Sequence, residues 1–184
     1  DLTENGKLEA KKSGDLIKDK KIKIKYYYSS LQLRAINTLK LAQESLDDNQ
    51  NFTRAWQLNE RHYGELTGLN KVEMGKKLGE EKVYQFRRSW DLKPGPLDKL
   101  SPFHPSNIDA YKDVSIENIP DSESLKDTFV RVTNYYKSEI INNLSDGNIL
   151  ISAHGNSIRA LCKYLFKLDK IQISKLEIPT GNPL

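Results

Sequence analysis

His154 lies in a segment that is suited to chemistry on an anion. It follows the apolar run 149–151, precedes Gly155, and is followed by a helical pattern to about Lys167. A histidine at such a strand-to-helix turn can transfer a proton, donate to an oxyanion or be phosphorylated. The N–H groups that begin the helix also attract negative charge. The alternative is a histidine that only caps the helix or hydrogen-bonds the turn.

Further cationic side chains could bind the same anion. Arg34 lies early in a helical segment, where an arginine opposes the helix dipole unless an anion is present. Taken alone, it is as well explained as a surface salt-bridge residue. Adjacent arginines can bind phosphate or carboxylate oxygens in pairs, although neighbouring cations are often only solvated. The other cations considered are Lys71, Arg87 and Arg88.

Four consecutive residues before Gly64 combine an acid, a guanidinium, an imidazole and a phenol. They are Glu60, Arg61, His62 and Tyr63. A carboxylate among cations can transfer protons if burial keeps its pKa near neutrality. The composition of the segment fits an ordinary polar turn equally well. We expect the turns that carry Arg34 and His154 to converge with Glu60 around a small, multiply charged anion.

Periodicity predicts the elements in the first part of the chain. A helix over residues 4–19, capped by Thr3, precedes a strand over residues 21–28 in which isoleucine alternates with lysine. The serines at 29 and 30 are the predicted caps of a second helix, which continues through Leu46. Its apolar face is predicted to contain Leu33, Ile36, Leu39 and Ala42.

The second part of the chain continues this alternation. A helix over residues 80–90 precedes a surface excursion over residues 91–120, which contains five of the seven prolines. The most regular helix follows the predicted caps Asp121 and Ser122, and has apolar residues at spacings of three and four as far as Leu144. The apolar run 149–151 is typical of a strand that is covered on both faces. This order indicates an α/β fold built on a largely parallel sheet.

Composition excludes several classes of protein. The 184 residues are enough to form a core without metal or disulfide, and the net charge of +4 is too small to specify a partner. The single cysteine, Cys162, excludes an internal disulfide and fits a reducing cytosol. No apolar run approaches the roughly 20 residues that cross a bilayer. We expect one cytoplasmic domain over residues 1–184 with no metal, membrane or nucleic-acid partner.

Several motifs occur together in a form that resembles the 2,3-bisphosphoglycerate-dependent phosphoglycerate mutases of the histidine phosphatase superfamily. The combination of LNERHYG with GLNK is specific to the mutase branch, whereas AHGNS alone indicates only the superfamily. The resemblance implies a three-layer α/β/α fold with a mostly parallel sheet. The matching blocks are SSLQLRAINTL, WQLNERHYGELTGLNK, YQFRRSWD, ISAHGNSIRALCKYL and IPTGNPL.

The resemblance implies interconversion of 3-phosphoglycerate and 2-phosphoglycerate in glycolysis and gluconeogenesis. The reaction would use a phosphohistidine enzyme, a 2,3-bisphosphoglycerate intermediate and no metal, in a cytoplasmic homodimer or homotetramer. Glu60 matches the general acid/base, His154 the histidine that stabilises charge on the transferring phosphoryl group, and Arg34 a phosphate-binding arginine. The other matched substrate-binding positions are Arg61, His62, Tyr63, Lys71, Arg87, Arg88, Gly155 and Asn156.

The resemblance also implies a phosphorylated histidine in an N-terminal Arg-His-Gly motif, which does not occur in these 184 residues. We therefore expect a fragment without the first strand and the C-terminal strand of the family, inactive as a mutase by itself. Two alternatives remain at this point. One is a histidine phosphatase that releases phosphate to water, and the other is a non-catalytic protein that retains the anion pocket.

Overall fold

The computed structural model describes residues 1–70, 72–76, 78–86 and 88–184. They form two compact units, one of residues 1–59, 134–155 and 177–184, the other of residues 60–133 and 156–176. The single domain predicted for residues 1–184 stays a prediction. The strands are β1 (Ile24–Ser29), β2 (Thr53–Arg54) and β3 (Asn148–Ser152). The helices are α1 (Glu4–Asp19), α2 (Leu33–Ser45), α3 (Lys71–Leu78), α4 (Glu80–Arg88), α5 (Leu125–Tyr135), α6 (Gly155–Leu165) and α7 (Lys170–Lys175).

The sheet of the first unit is parallel, with the strand order β2-β1-β3. Parallel neighbours need a crossover connection, and α2 provides it between β1 and β2. Ser29 pairs with Arg54 on one side and with Ser152 on the other, so that the strands end at the same level. The prediction of an α/β fold on a parallel sheet is confirmed.

Helical structure covers both faces of this sheet. On one face, Ser152 Oγ donates to the carbonyl of Ala35 in α2 at 2.8 Å. Tyr28 points to the other face, where its hydroxyl donates to the carbonyl of Glu139 and accepts from Asn143 Nδ2. Residues 139 and 143 belong to a π-helical turn and a 3₁₀ turn that follow α5. This arrangement agrees with the predicted layers of helix, sheet and helix.

The helix α1 forms where it is predicted, and Thr3 Oγ1 accepts from the backbone N–H of Gly6 at its start. The strand β1, however, begins at Ile24 and not at Lys21. Lys21 has a left-handed φ of 55°, and the N–H of Ile22 donates to the carbonyl of Ile17. These residues therefore terminate α1. The alternation of lysine and isoleucine extends over a helix end as well as a strand.

The start of α2 differs from the prediction. Ser29 belongs to β1, and the residue at the N-cap is Gln32, whose side chain makes no capping hydrogen bond. Ile36, Leu39 and Ala42 are buried as expected. Leu33, which was expected on the same face, is 65% exposed because it lies in the first turn at the margin of the apolar stripe.

The excursion over residues 91–120 contains three short 3₁₀ turns and neither α-helix nor strand. It is not confined to the surface, because His104, Tyr111 and Ile119 are buried. The two ring nitrogens of His104 lie 2.6 Å from Ser106 Oγ and 2.9 Å from Asp121 Oδ1. A buried histidine thus fixes the excursion within the second unit.

The helix α5 begins later and ends earlier than the pattern predicts. Its capping residue is Ser124 and not Asp121 or Ser122, because Ser124 Oγ accepts from the N–H of Asp127 at 3.1 Å. After Tyr135 the chain continues as the π-helical turn Tyr136–Ile140 and the 3₁₀ turn Ile141–Ser145. This change of period leaves Leu144, predicted on the apolar face, 47% exposed.

Other boundaries also differ from the predicted ones. The predicted helices over 80–90 and to Lys167 end at Arg88 and Leu165. The short helices α3 and α7 were not predicted, although each begins with a capping box. Residues 149–151 of β3 are only half-buried, because β3 has one strand neighbour among the described residues. No described helix is both long enough and apolar enough to span a bilayer.

Candidate functional site

Ser30 follows β1, Arg34 lies in the first turn of α2, and His154 follows β3. We call these three residues the strand-exit cluster. The pairing of Ser29 with Ser152 aligns the two chain segments as they leave the sheet. The N–H of Ser30 then donates to the carbonyl of Ser152 at 3.2 Å. Parallel strands present their carboxyl ends at one edge, and ligands bind there in α/β folds.

Arg34 and His154 are in direct contact, as expected. Arg34 Nε donates to His154 Nδ1 at 3.0 Å, and His154 Nε2 lies 2.8 Å from Ser30 Oγ. A guanidinium can only donate, so Nδ1 accepts and the ring proton lies on Nε2, directed at Ser30. Because His154 is 6% exposed and Ser30 fully buried, both contacts hold the ring in a fixed orientation.

Ser30 was predicted only as a helix cap, and its contact with His154 was missed. Its Oγ also accepts from the N–H of Gln32 at 3.1 Å, while Gln32 Oε1 accepts from Arg34 Nη2 at 3.2 Å. The turn is held further by Asn59, a fully buried residue whose Oδ1 accepts from the N–H of Leu31 at 2.8 Å. The available signal was the position of Ser30, which follows a strand just as His154 does.

Gly155 is the first residue of the 11-residue helix α6. A Cβ placed on it would meet no atom within 4 Å, so the space beside its main chain is open. The N-terminus of a helix attracts an anion through its N–H groups and its dipole. The position of Gly155 at the start of α6 is therefore compatible with a nearby phosphate group. Its predicted contact with substrate stays a prediction.

In the second unit, Arg61 and Tyr63 are held together. The guanidinium of Arg61 lies over the Tyr63 ring at 4.6 Å from its centroid, and Nη2 donates to the carbonyl of Phe86. Arg61 is only 2% exposed, so its side chain is part of the interior of this unit. Its contact with substrate stays a prediction. The contact that the structure shows is the packing of the guanidinium on the Tyr63 ring.

Tyr63 and Asn156, which lie far apart in the sequence, are brought together. Asn156 Nδ2 donates to the Tyr63 hydroxyl at 2.9 Å, and Asn156 Oδ1 accepts from Arg159 Nη1 at 2.8 Å. Arg159 is fixed in turn, since its Nε donates to the carbonyl of Leu176 at 2.9 Å. The half-buried Glu60 accepts at Oε1 from the N–H of Arg61 at 2.8 Å.

His62 takes part in a buried network with Glu123 and Arg131. Glu123 Oε2 lies 2.9 Å from His62 Nδ1 and 2.7 Å from Arg131 Nη2. Burial by itself raises the pKa of the Glu123 carboxyl. The positive charge of Arg131 and hydrogen bonds from His62 and Arg131 outweigh burial, and the resulting pKa is about 2. Glu123 is therefore ionised at neutral pH, and sequence reasoning did not identify it.

The structure gives less information on the three predicted substrate-binding cations of the segment 71–88. Arg88, at the end of α4, is half-buried. Lys71 and Arg87 lie outside the described residues. Across the described ranges, no group of three or more His, Cys, Asp or Glu side chains could hold a metal ion.

The fold and these motifs define a class of protein. The chain belongs to the histidine phosphatase superfamily (branch 1), whose sequence pattern matches residues 1–103 and 95–182. The 2,3-bisphosphoglycerate-dependent phosphoglycerate mutase of Pelagibacter ubique (strain HTCC1062) is 65% identical over 100% of this chain and 78% of its own length. The mutase of the same name from Hydrogenobaculum sp. (strain Y04AAS1) is 46% identical over 100% of this chain and 75% of its own.

Within the superfamily, the chain is therefore a member of the 2,3-bisphosphoglycerate-dependent phosphoglycerate mutase family. A solved structure described as mycobacterial hydrolase 1 is similar with a TM-score of 0.71. It shares 18% identity, and the match covers 98% of this chain and 74% of that one. At this identity the similarity concerns the fold alone, which agrees with the expected phosphoglycerate mutase-like architecture.

Proposed function

We propose that this protein interconverts 3-phosphoglycerate and 2-phosphoglycerate in glycolysis and gluconeogenesis. The reaction proceeds through a phosphohistidine enzyme and a 2,3-bisphosphoglycerate intermediate. The high identity to named mutases supports the choice of substrate. The structural observation that carries the proposal is the contact between Arg34 Nε and His154 Nδ1 at the end of a parallel sheet.

The strand-exit cluster supplies positive charge and a directed proton donor. Phosphoryl transfer depends on positioning and on stabilising the charge of the equatorial oxygens. The exposed guanidinium of Arg34 binds phosphate oxygens, since arginine matches their geometry. His154 stabilises the transferring group with the proton on Nε2, which is directed at Ser30 Oγ before substrate arrives.

The second unit supplies the proposed acid/base and further substrate contacts. Glu60 exchanges a proton with the substrate hydroxyl, a role for which a half-buried carboxylate is suited. Tyr63 and Asn156 bind substrate with side chains that are already fixed by their mutual hydrogen bond. Arg61 and His62 lie between these residues in the sequence and are proposed substrate-binding residues as well. The remaining proposed substrate-binding residues are Lys71, Arg87, Arg88 and Gly155.

The donor in this proposal is 2,3-bisphosphoglycerate, which supplies a phosphoryl group when bound. The residues suit such a polyanion, because Arg34 is exposed and no other side chain fills the space where a Cβ of residue 155 would lie. The proposal includes no metal, since arginine, lysine and helix N-termini can provide the positive charge. The residues named in this proposal bind, orient or transfer a proton, whereas the phosphorylated histidine of the Arg-His-Gly motif is not among these 184 residues.

The test uses the protein expressed from the complete reading frame that contains these residues. Production of 2-phosphoglycerate from 3-phosphoglycerate, measured by coupling to enolase and dependent on 2,3-bisphosphoglycerate, is the expected result. Release of inorganic phosphate without isomerisation would instead establish a histidine phosphatase. Binding of phosphoglycerate without either product would establish a non-catalytic anion-binding protein.

A pair of variants on α2 tests the role of the strand-exit cluster. Arg34→Ala should lower kcat/KM about 10- to 100-fold, as expected for the loss of hydrogen bonds to a charged group. Lys40→Ala removes an exposed cation from the same helix and should leave kcat/KM unchanged. Equal kcat/KM in the two variants would remove Arg34 from the site.

The cellular setting is part of the same proposal. We infer a cytoplasmic enzyme that acts on small phosphoglycerates, with no nucleic-acid or membrane partner, and that assembles as a homodimer or homotetramer. Its mildly basic net charge of +4 is compatible with anionic substrates. Sedimentation velocity on the complete protein measures the assembly, and a concentration-independent monomer would contradict it.

A further inference from the structure

In the segment 60–63, the two outer residues have proposed roles at the substrate, and the two middle residues have buried side chains. Glu60 and Tyr63, at its two ends, carry the proposed acid/base and a proposed substrate contact. Between them, Arg61 is buried and the His62 side chain is only 8% exposed. Contacts that fix Arg61 and His62 therefore also fix the main chain that carries Glu60 and Tyr63.

Glu123 contacts both the ring and the main chain of His62. Its Oε2 accepts from the backbone N–H of His62 at 3.0 Å and lies 2.9 Å from the ring Nδ1. In the opposite direction, the backbone N–H of Glu123 donates to the carbonyl of His62 at 2.8 Å. One residue thus restrains the position of His62 and the rotation of its ring.

Arg131 fixes the Glu123 carboxylate. Its Nε and Nη2 donate to the two carboxylate oxygens, each at 2.7 Å, in a bidentate pair. The side chains of Arg131 and Glu123 are 6% and 3% exposed. Buried charges are stable only when they are paired and hydrogen-bonded, so this pair has a defined geometry.

The other edge of the His62 ring faces Tyr111. The Tyr111 hydroxyl lies 3.2 Å from His62 Nε2, and the two rings meet edge to face with their centroids 6.1 Å apart. Because an ionised carboxylate only accepts, Nδ1 carries the proton that faces Glu123. Both ring nitrogens therefore have protein neighbours, and the ring supports the segment.

Building on the proposed function, we propose that Glu123 and Arg131 are positioning residues for phosphoglycerate turnover. They act through His62 to hold Glu60 and Tyr63 where the reaction needs them. A displacement of about 1 Å in a catalytic group can cost on the order of 100-fold in rate. The buried pair thus affects the rate without contacting substrate.

The primary test is Glu123→Gln in the protein from the complete reading frame. The amide keeps the shape of the side chain but presents an NH₂ group where both oxygens now accept, so the contacts to His62 and Arg131 cannot all form. We expect kcat to fall about 10- to 100-fold while KM changes less than about threefold. Tyr111→Phe, a milder change on the other edge of the ring, should lower kcat by a smaller factor.

A double-mutant cycle distinguishes positioning from general destabilisation. If Glu123 acts through Glu60, then Glu123→Gln should have little further effect on kcat in a Glu60→Gln protein. A purely structural role would give the same fold loss in both backgrounds, and that result would overturn the proposal. Thr128→Val is the matched control, because Thr128 is a fully buried hydrogen-bonding residue of α5 that should leave kcat unchanged.

An activity-independent measurement separates this proposal from the proposed function. Amide hydrogen exchange at Tyr63 and Gly64 should be faster in Glu123→Gln than in the wild type, and unchanged in Thr128→Val. If the wild-type protein from the complete reading frame has no mutase turnover, the proposed function is refuted, and faster exchange in Glu123→Gln would still support the role of Glu123 in holding the segment 60–63. Unchanged exchange, or unchanged kcat in an active and folded Glu123→Gln protein, would refute the positioning role.

Discussion

Ser29 and Ser30 are adjacent buried serines whose hydroxyl groups have different surroundings. Ser30 Oγ contacts His154 Nε2 and accepts from the N–H of Gln32. Ser29 Oγ is buried without a hydrogen-bond partner among the described residues. This contrast gives a matched pair of variants, since both changes remove one hydroxyl at neighbouring positions.

We predict that Ser30→Ala destabilises the protein by about 1 kcal/mol, the usual loss for one buried hydrogen bond. It should also lower kcat, because the His154 ring loses the acceptor that orients its Nε2 proton. Ser29→Ala should be neutral or slightly stabilising, with unchanged kcat. Urea unfolding and steady-state turnover measure both quantities, and equal effects of the two variants would contradict the assignment.

Glu60 is the second residue with a specific prediction. Glu60→Gln in the complete protein should lower kcat by about 100- to 10,000-fold, because the shape is retained while the proton donor is lost. Its free energy of unfolding should change little, since the hydrogen bond from the N–H of Arg61 to Oε1 can persist. A variant with normal turnover would exclude Glu60 as the acid/base.

At the scale of elements, the turn after Tyr63 has a strict steric requirement. Gly64 has a φ of +54°, and a Cβ at this position would lie 2.0 Å from the carbonyl oxygen of Gly95. The N–H of Glu65 donates to the same carbonyl at 3.0 Å, so the two segments cannot easily separate. The glycine of NERHYG therefore allows the excursion to pack against the turn.

We predict that Gly64→Ala destabilises the protein by about 3 kcal/mol or more, from the left-handed backbone together with the clash. Gly155→Ala is the matched control, because a Cβ there meets no atom within 4 Å. That control should keep its thermal stability, while its KM should rise if phosphate approaches the main chain of the AHGN turn. Thermal unfolding of both variants tests the contrast.

The elements that could be predicted were those with a strong local signal. The bounds of α1 follow from the Thr3 cap and the apolar period, and the structure has them at the predicted residues. Lys21 could not be predicted as a helix terminator, because a lysine rarely adopts positive φ and its conformation depends on the packing of the helix end. The end of α5 was missed for a similar reason, since a π-helical turn changes the period within one continuous apolar pattern.

The candidate site could be predicted only in part. The Arg34 and His154 contact follows from two strand ends in one parallel sheet, which sequence patterns can locate. The Glu123 contact with His62 joins residues 61 positions apart, and neither residue signals the other in the sequence. The prediction that Glu60 converges with Arg34 and His154 stays a prediction.

At the scale of the whole molecule, the low pKa of Glu123 makes stability depend on pH. Its value of about 2 lies below the ordinary 4.5, so the folded state binds this proton less readily than the unfolded state does. The corresponding stabilisation is therefore fully present above about pH 4.5, and it is lost as the pH falls towards 2.

We predict that Glu123→Gln is less stable than the wild type at pH 7, and that the difference shrinks between about pH 4.5 and pH 2. Thr128→Val removes a buried hydrogen bond without removing a titratable group, so its cost should stay constant over the same range. Urea unfolding at several pH values measures both. A Glu123→Gln deficit that does not vary with pH would contradict the prediction.

The start of α2 shows how function limits the design of this fold. Gln32 occupies the N-cap but makes no capping bond, and its side chain instead accepts from Arg34. Natural variation or directed evolution towards heat resistance should favour Asp or Ser here, since good caps add about 1 kcal/mol. Enzymes that must turn over substrate should retain at position 32 a side chain that accepts a hydrogen bond from Arg34. Thermal stability and turnover thus favour different side chains at this position.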